Sequence, residues 1–328
     1  MLKYIWYACA ALLLWSGRAH AQTVTAYSFL QLPTHARLQA LGGNNVSEHG
    51  RDVNYAFINP ALVNDSLSHS ASAGYLFYLA GTGQVTTAYA HTFPRAGTLV
   101  FGLRHVNYGT LEGYDNTGMP VGTFRSADTE LLVGKVMQSG VFRFAINTKA
   151  VLSNLAGYRS TALLTDLGGA FVHPNQRFQA GLAFRNLGAI VSDYTPSSRN
   201  TLPFDVQLGA TFKPEHMPAR FSVTATRLAR PGNIFQDPAG GSEPSALKKG
   251  LTHLTVGAEI LLSRQITVLT GFNALRQYEL RNGFSWGVSM HIRHFTLVLS
   301  NAAYQPGTGA WALTLSTNTK ALWKVKNL

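Results

Sequence analysis

Residues 284–292, FSWGVSMHI, decide the fold class. Large apolar residues occupy every second position of this stretch, and small or polar residues lie between them. A period of two is typical of a β-strand with one apolar and one polar face. The same alternation recurs in residues 141–152, 177–185 and 253–260. The sequence therefore predicts an all-β protein.

Further strands follow one another from residue 70 onward, separated by turn residues. We predict strands at 70–80, 83–93, 98–108, 128–138, 141–152, 160–172, 177–187, 204–213, 220–229, 251–262, 265–275, 281–292, 294–304 and 309–317. Fourteen is an even number, which single-chain bacterial barrels require. The barrel is thus expected to span residues 70–317.

A soluble β-sandwich also alternates, so the choice between sandwich and membrane barrel depends on length and composition. Most of the segments have the length that crosses a bilayer at a tilt, about 9–11 residues, whereas an ordinary strand has about 5–6. Apolar residues make up 46% of the chain and charged residues only 13%, about half the charged share of an average soluble domain. We therefore predict a transmembrane outer-membrane β-barrel of about 14 antiparallel strands.

The first 21 residues have the pattern of a secretory signal peptide. Lys3 gives a short basic region, residues 4–15 are apolar, and Ala19-His20-Ala21 is a small-x-small cleavage site. The alternative, a single membrane anchor, needs a longer apolar run. The only cysteine is Cys9, so the mature chain is expected to lack thiol chemistry and thiolate metal sites.

The predicted connections fall into two sets that alternate along the chain. All members of one set are short, and the other set contains the long connections. The long ones are 109–127, 188–203, 230–250 and 276–280. In outer-membrane barrels, short turns face the periplasm and long loops face the exterior. This assignment puts both termini, including a tail at 318–328, in the periplasm.

Residues 22–69 do not follow the strand pattern, and we predict that they form a plug, or hatch. Residues 34–41 can form a helix with Thr34 as N-cap and Gly42-Gly43 as its stop. Asn59-Pro60-Ala61 is typical of a turn followed by one helical turn. A fourteen-strand barrel is too wide for its own side chains to fill. The alternative is a periplasmic extension outside the barrel.

Few motifs indicate chemistry. Gly283-x-Ser285-x-Gly287 matches a hydrolase elbow, but it lies within a predicted strand with no helix after it. The histidines have no metal-ligand spacing, so neither a metal nor a cofactor is predicted. The net charge of +12 would suit nucleic acid, but we favour contacts between lipid phosphates and basic residues at the barrel rim.

Four stretches resemble a known family: residues 27–47, 52–64, 105–124 and 127–135. They are similar to the PorQ-like outer-membrane components of the type IX secretion system of Bacteroidetes, which group with PorV and resemble the FadL fatty-acid transporters. The resemblance implies a fourteen-strand barrel with an N-terminal hatch. It also implies a non-enzymatic anchor for a PorZ-like surface protein, beside PorU and PorV, in a complex that attaches cargo to lipopolysaccharide.

Three functions follow as hypotheses. An anchor would dock its partner on the long loops, where Tyr114, Asp115, Phe124, Lys248 and Lys249 are the candidate contacts; a solvated loop tip is the alternative for these residues. A transporter of hydrophobic small molecules would have an apolar pocket above the hatch and a lateral opening. An outer-membrane enzyme would need a catalytic constellation that the sequence does not offer.

Overall fold

The computed structural model describes residues 25–48, 52–229, 245–305 and 307–320. In these residues, fourteen antiparallel strands close into one barrel in which β1 pairs with β14. The strands are β1 (Ser70–Phe77), β2 (Gly83–Phe93), β3 (Gly97–Tyr114), β4 (Pro120–Ser139), β5 (Phe142–Leu155), β6 (Tyr158–Val172), β7 (Phe178–Ser192), β8 (Asp205–Phe212), β9 (Ala219–Ala225), β10 (Leu254–Leu261), β11 (Ile266–Asn273), β12 (Phe284–Ile292), β13 (Phe295–Gln305) and β14 (Thr308–Asn318). The predicted barrel is confirmed.

The outer surface of the barrel is apolar and the inner surface is not. Phe144, Leu163 and Trp286 are among the large apolar side chains exposed on the outside, whereas polar side chains such as Arg104, Glu130 and Lys149 are fully buried on the inside. A continuous apolar belt on a barrel exterior suits lipid, not water. The two-residue alternation of the sequence is thus the alternation between membrane and lumen. Among the described residues, no helix is long and apolar enough to cross a bilayer.

Each predicted strand has its counterpart, but four connections differ from the prediction. Strand β7 continues to Ser192, into the predicted loop 188–203. The predicted loop 109–127 is mostly strand, because β3 and β4 continue as a hairpin far past their neighbours. Strand β9 ends at Ala225 instead of residue 229, and helix α2 (Ala246–Thr252) precedes β10. The predicted loop 276–280 is helical, because α3 (Ala274–Leu280) spans it.

The N-terminal segment, of which the structure describes residues 25–48 and 52–69, runs inside the barrel from one end to the other. Thr25 forms an isolated bridge with Thr201 in a long connection, and Ser68 accepts a hydrogen bond from the backbone of Thr92, near a short turn. Between them lie helix α1 (Ala36–Ala40) and several 3₁₀ turns. The prediction put both termini at the short-turn end, but the first described residue lies at the opposite end. The predicted signal peptide, residues 1–21, and most of the tail, 318–328, lie outside the described residues.

Glycines on the inner wall let this segment lie directly against the strands. A methyl group on Gly181 would overlap the carbonyl of Val46, and one on Gly271 would overlap the backbone at Gly42. The same holds, less severely, for Gly102 against the ring of Phe57, at 2.6 Å. Glycine in a strand often marks a place where another backbone approaches closely. The inner wall is therefore shaped to the segment.

Four buried charges also join the segment to the wall. Arg37 and Glu48 of the segment meet Arg220 of β9 and Glu259 of β10 in a closed ring of salt bridges. The Arg37–Glu48 pair is 2.9 Å apart and the Arg220–Glu259 pair 2.5 Å. Tyr55 adds a hydrogen bond to Glu48 at 2.6 Å. Each charge thus has two partners of opposite sign, as burial requires.

Helix α1 and the turn at Asn59 lie where the sequence predicts them, but the helix begins one residue later. The N-cap of α1 is His35, not Thr34, and no side chain caps the helix; Thr34 instead bonds the His35 ring at 3.0 Å. Gly42 and Gly43 end the helix with φ of +93° and +90°, a conformation that glycine adopts without a steric penalty. Asn59 caps the turn Pro60–Leu62 by accepting from the backbone of Ala61 at 3.1 Å.

Candidate functional site

A cavity of about 730 Å³ lies between the N-terminal segment and the connections at the long-loop end. The segment supplies its floor, and four connections and the ends of β8 and β13 supply its walls. Its apolar lining includes Phe29, Leu32, Tyr78, Leu202, Phe204, Leu275, Leu280 and Tyr304. Polar side chains, among them Gln31, Asp205 and Gln207, line it as well. Such a volume is in the range of small-molecule sites.

Helix α3 carries one of the two arginines in this cavity. Asn273 caps the helix by accepting from the backbone N–H of Arg276 at 2.9 Å, and its amide donates to the carbonyl of Gly42 at 2.9 Å. The cap therefore ties the wall of the cavity to its floor. It also fixes the start of the helix, so that Arg276 is directed back towards the barrel.

Arg276 is a buried cation with an incomplete set of partners. Its Nη2 donates to the carbonyl of Gly283 at 2.7 Å, and its guanidinium lies 5.0 Å from the ring centre of Tyr304. Its Nε–H has no partner, and within the described chain no carboxylate lies within salt-bridge distance. Burial lowers the pKa of Arg276, but an arginine stays protonated at neutral pH.

Arg185 enters the cavity from an irregularity in the barrel wall. Between β6 and β7 the register shifts, so that the single residue Asp166 faces both Arg185 and Asn186. Asn186 has φ of +59°, and its backbone N–H donates to Asp166 at 2.7 Å, while Lys149 holds the same carboxylate at 2.8 Å. Asp166, with its positive charge partner Lys149, thus stabilises the backbone of the bulge. Bulges of this kind often direct a side chain to a site.

The side chain of Arg185 connects the wall to the floor. Its Nη2 donates to the carbonyls of Leu30 and Phe57, both at 3.2 Å, and its Nε–H has no partner. Together the two arginines offer N–H donors in a cavity that also has apolar walls. The cavity can therefore hold an apolar molecule and hydrogen-bond an acceptor atom on it.

A second cavity, of about 530 Å³, lies beside the first. The two share the lining residues Asn186, Leu202 and Phe204. Strand β8 pairs with β7 only as far as Arg185, so the rest of β7 has no partner strand on that side. The connection 193–204 covers this gap. The wall between the first cavity and the outside of the barrel is thus a loop here, not a strand.

The structure places the predicted site residues in separate parts of the barrel. Gly42 and Gly43 line the first cavity, whereas Asn59, Pro60 and Ala61 lie deeper, where Asn59 donates to the carbonyl of Val46 at 2.8 Å. Tyr114, Asp115 and Phe124 lie in the β3–β4 hairpin, and Lys248 and Lys249 lie in α2. These last five do not line either cavity.

Sequence reasoning missed Arg185 and Arg276 as site residues. The alternation of 177–185 does put Arg185 on the polar face, but nothing in the sequence marks the bulge that follows. Arg276 fell in a predicted loop. Ser285, from the hydrolase-like motif, is within β12, and its hydroxyl donates to the carbonyls of Ala40 at 3.0 Å and Gly271 at 3.3 Å.

Comparison with known proteins finds likeness in structure only. No family model matches the chain, and no curated protein matches its sequence. The Ralstonia pickettii toluene transporter TbuX shares the fold with a TM-score of 0.53 and 12% identity, over 88% of this chain and 98% of that one. A mutant of the TodX monoaromatic hydrocarbon channel has a TM-score of 0.54 and 10% identity, over 87% of this chain and 97% of that one. A Pseudomonas aeruginosa FadL homologue has a TM-score of 0.48 and 10% identity, over 91% of this chain and 99% of that one. The likeness to the first two structures shows that the chain shares their fold.

Proposed function

We propose that this protein takes up hydrophobic small molecules across the bacterial outer membrane. The observation that carries the proposal is the 730 Å³ cavity, lined by both apolar and polar side chains, at one end of a barrel whose interior also holds the N-terminal segment. The fold shared with a toluene transporter and a hydrocarbon channel supports it. The long connections then face the exterior, the N-terminal segment is the hatch, and the cavity is the first binding site.

In this proposal the molecule leaves sideways. The segment is fitted against wall glycines and held by buried salt bridges, so moving it would break many contacts at once. The second cavity beside β7 borders the connection 193–204, where the wall lacks strand pairing. A shift of Leu202 and Phe204 would join the two cavities. The route therefore runs from the first cavity past this connection.

A cavity-filling variant tests the proposal. Leu280→Trp places an indole in the first cavity, whereas Leu262→Trp places one on the exposed turn after β10. We expect the parent chain and Leu262→Trp to bind N-phenylnaphthylamine, a neutral fluorescent hydrophobe, and to speed the entry of toluene into cells. Leu280→Trp should lose both activities. Equal uptake with and without the barrel would refute the proposal.

The anchor of a type IX secretion complex is the second candidate. The comparisons lend it no support, but the β3–β4 hairpin does, because it extends beyond the neighbouring strands and carries exposed apolar side chains. Met119 and Val121 are 64% and 65% exposed, and Tyr114 lies beside them. Exposed apolar groups of this kind mark interaction sites. Co-purification of a PorZ-like protein that is lost in Met119→Glu would support this role, and a barrel that purifies alone would count against it.

A further inference from the structure

The strands on one side of the barrel are much shorter than those on the other, so the wall is lower there. Strand β9 has seven residues, and its neighbours β8 and β10 have eight each, whereas β3 and β4 have 18 and 20. Seven residues at about 3.3 Å each and a 45° tilt rise only about 16 Å. The apolar band of an outer-membrane barrel is about 25 Å tall. Strand β9 alone therefore cannot cover the hydrocarbon layer.

Helix α2 leads directly into β10, one of these short strands. It ends at Thr252, and β10 begins two residues later at Leu254. Leu247 and Leu251 are four residues apart, so they share one face of the helix, and they are 74% and 52% exposed. Below them, the outward side chains Val256 and Val223 continue the apolar surface down the strands. The exposed leucines thus extend a surface that is already lipid-facing.

Two lysines flank these leucines. Lys248 and Lys249 follow Leu247 in the helix; the side chain of Lys248 is exposed and that of Lys249 is half-buried. Apolar side chains beside lysines are typical of helices that lie in a membrane interface, where the apolar face enters the headgroup region and the cations meet anionic lipid. The β3–β4 hairpin differs, because its exposed apolar residues lie beyond the end of long strands, above the lipid.

We propose that α2 is an interfacial helix that completes the lipid-facing belt over β9 and β10 and binds anionic headgroups through Lys248 and Lys249. The partner is the bilayer leaflet at the long-loop end, and the chemistry recognised is a lipid phosphate. This contact does not depend on transport through the cavity. It gives the low side of the barrel the apolar height that its strands lack.

Spin labels test the depth of the helix. The full chain with Cys9→Ser carries one label at a time, at Leu251→Cys, at Val256→Cys as the lipid control, or at Met119→Cys as the water control. The barrel is reconstituted in vesicles of phosphatidylcholine with phosphatidylglycerol. We expect the Leu251 label to contact oxygen as the Val256 label does and to be shielded from a water-soluble nickel relaxant. A Leu251 label as open to nickel as the Met119 label would overturn the proposal.

Charge reversal tests the headgroup contact separately. Lys248→Glu/Lys249→Glu should reduce the enrichment of spin-labelled phosphatidylglycerol around the barrel severalfold and leave that of phosphatidylcholine unchanged. Lys213→Glu/Lys320→Glu, which changes the charge equally at the short-turn end, serves as the matched control. If both double variants reduce the enrichment equally, net charge and not α2 attracts the lipid, and the headgroup assignment is wrong. If neither reduces it, the assignment is also wrong.

Discussion

At the scale of single residues, the inner-wall glycines matter most, because each allows the N-terminal segment to touch the barrel backbone. Gly181 gives the sharpest case, since an added Cβ would overlap the carbonyl of Val46. Neither partner in this contact is a flexible side chain. Relief therefore requires the backbone of the segment to move away from the wall.

A valine in place of Gly181 should destabilise the folded barrel. Overpacking a core typically costs about 1–3 kcal/mol, and we expect the upper end of this range because the clash is with backbone. Gly169→Ala, one strand away, is the control, because the nearest atom to its new Cβ is 3.9 Å distant. Urea unfolding in lipid vesicles measures both. Similar losses in the two variants would contradict the close approach.

The ring of four charges gives a second prediction at this scale. Glu259→Leu leaves Arg37 and Arg220 close together with only Glu48 between them. Removing one member of a buried ion network typically costs about 3–5 kcal/mol. Glu215→Leu breaks an exposed pair with Arg177 and should cost about 1 kcal/mol at most. A Glu259→Leu barrel as stable as Glu215→Leu would show that the ring does not hold the segment.

At the scale of elements, the tip of the β3–β4 hairpin is held by one carboxylate. Asp115 accepts hydrogen bonds from the Thr117 hydroxyl at 2.7 Å and from the backbone N–H groups of Thr117 and Met119 at 2.8 and 2.9 Å. These bonds, that from the Thr117 side chain first, lower the pKa of Asp115 below its ordinary value near 3.8. The ionised form therefore orders the tip.

This arrangement predicts a pH dependence of the tip. Because the folded-state pKa is lowered, ionised Asp115 stabilises the tip above its ordinary pKa, and this stabilisation is lost as the pH falls through the lowered value. Thr117→Val should move the pKa of Asp115 back towards 3.8. Carboxyl NMR titration of both forms checks this. An unchanged pKa in Thr117→Val would show that the hydroxyl does not contribute.

The sequence predicts strands well where one face meets lipid and the other the lumen. All fourteen strands of the barrel show this contrast. The hairpin extension, 109–127, was predicted as a loop because both of its faces are in water, and alternation then disappears although strand pairing continues. Helices α2 and α3 were missed because a helix of seven residues shows barely two turns of periodicity.

The candidate site was less predictable than the fold. Gly42 and Gly43 could be identified as a helix stop, but their place beside the cavity depends on contacts with strands more than 200 positions away, as in the bond from Asn273 to Gly42. The burial of Arg185 and Arg276 likewise depends on a bulge and on a short helix. These features come from tertiary packing, for which a single sequence carries no periodic signal.

At the scale of the whole molecule, the N-terminal segment lies inside the barrel, and we propose that it keeps the barrel closed. A fourteen-strand barrel has an interior too wide for its own side chains to fill. We expect the full chain to conduct ions poorly in planar bilayers. A variant lacking residues 26–67 should form a pore of much larger conductance.

The fold of that deletion variant needs its own check. Its strand content is measured by circular dichroism, and its closure by the heat-dependent shift in gel mobility. If a folded, closed barrel without the segment conducts as little as the full chain, the segment is not the barrier. Gly169→Ala, which leaves the segment in place, should conduct like the parent.

The seam between β1 and β14 has a consequence for how the chain is assembled. It joins Ser70 to Asn318, nearly the two ends of the barrel sequence, so its formation closes the longest loop of the chain. Contacts of high sequence separation tend to form late and slowly. The N-terminal segment passes through the ring that this seam closes, from Thr201 at one mouth to Thr92 at the other. If the strands assemble around the N-terminal segment, the segment need not be threaded through a closed barrel. Pairing of β1 with β14 then encloses the segment in the last step.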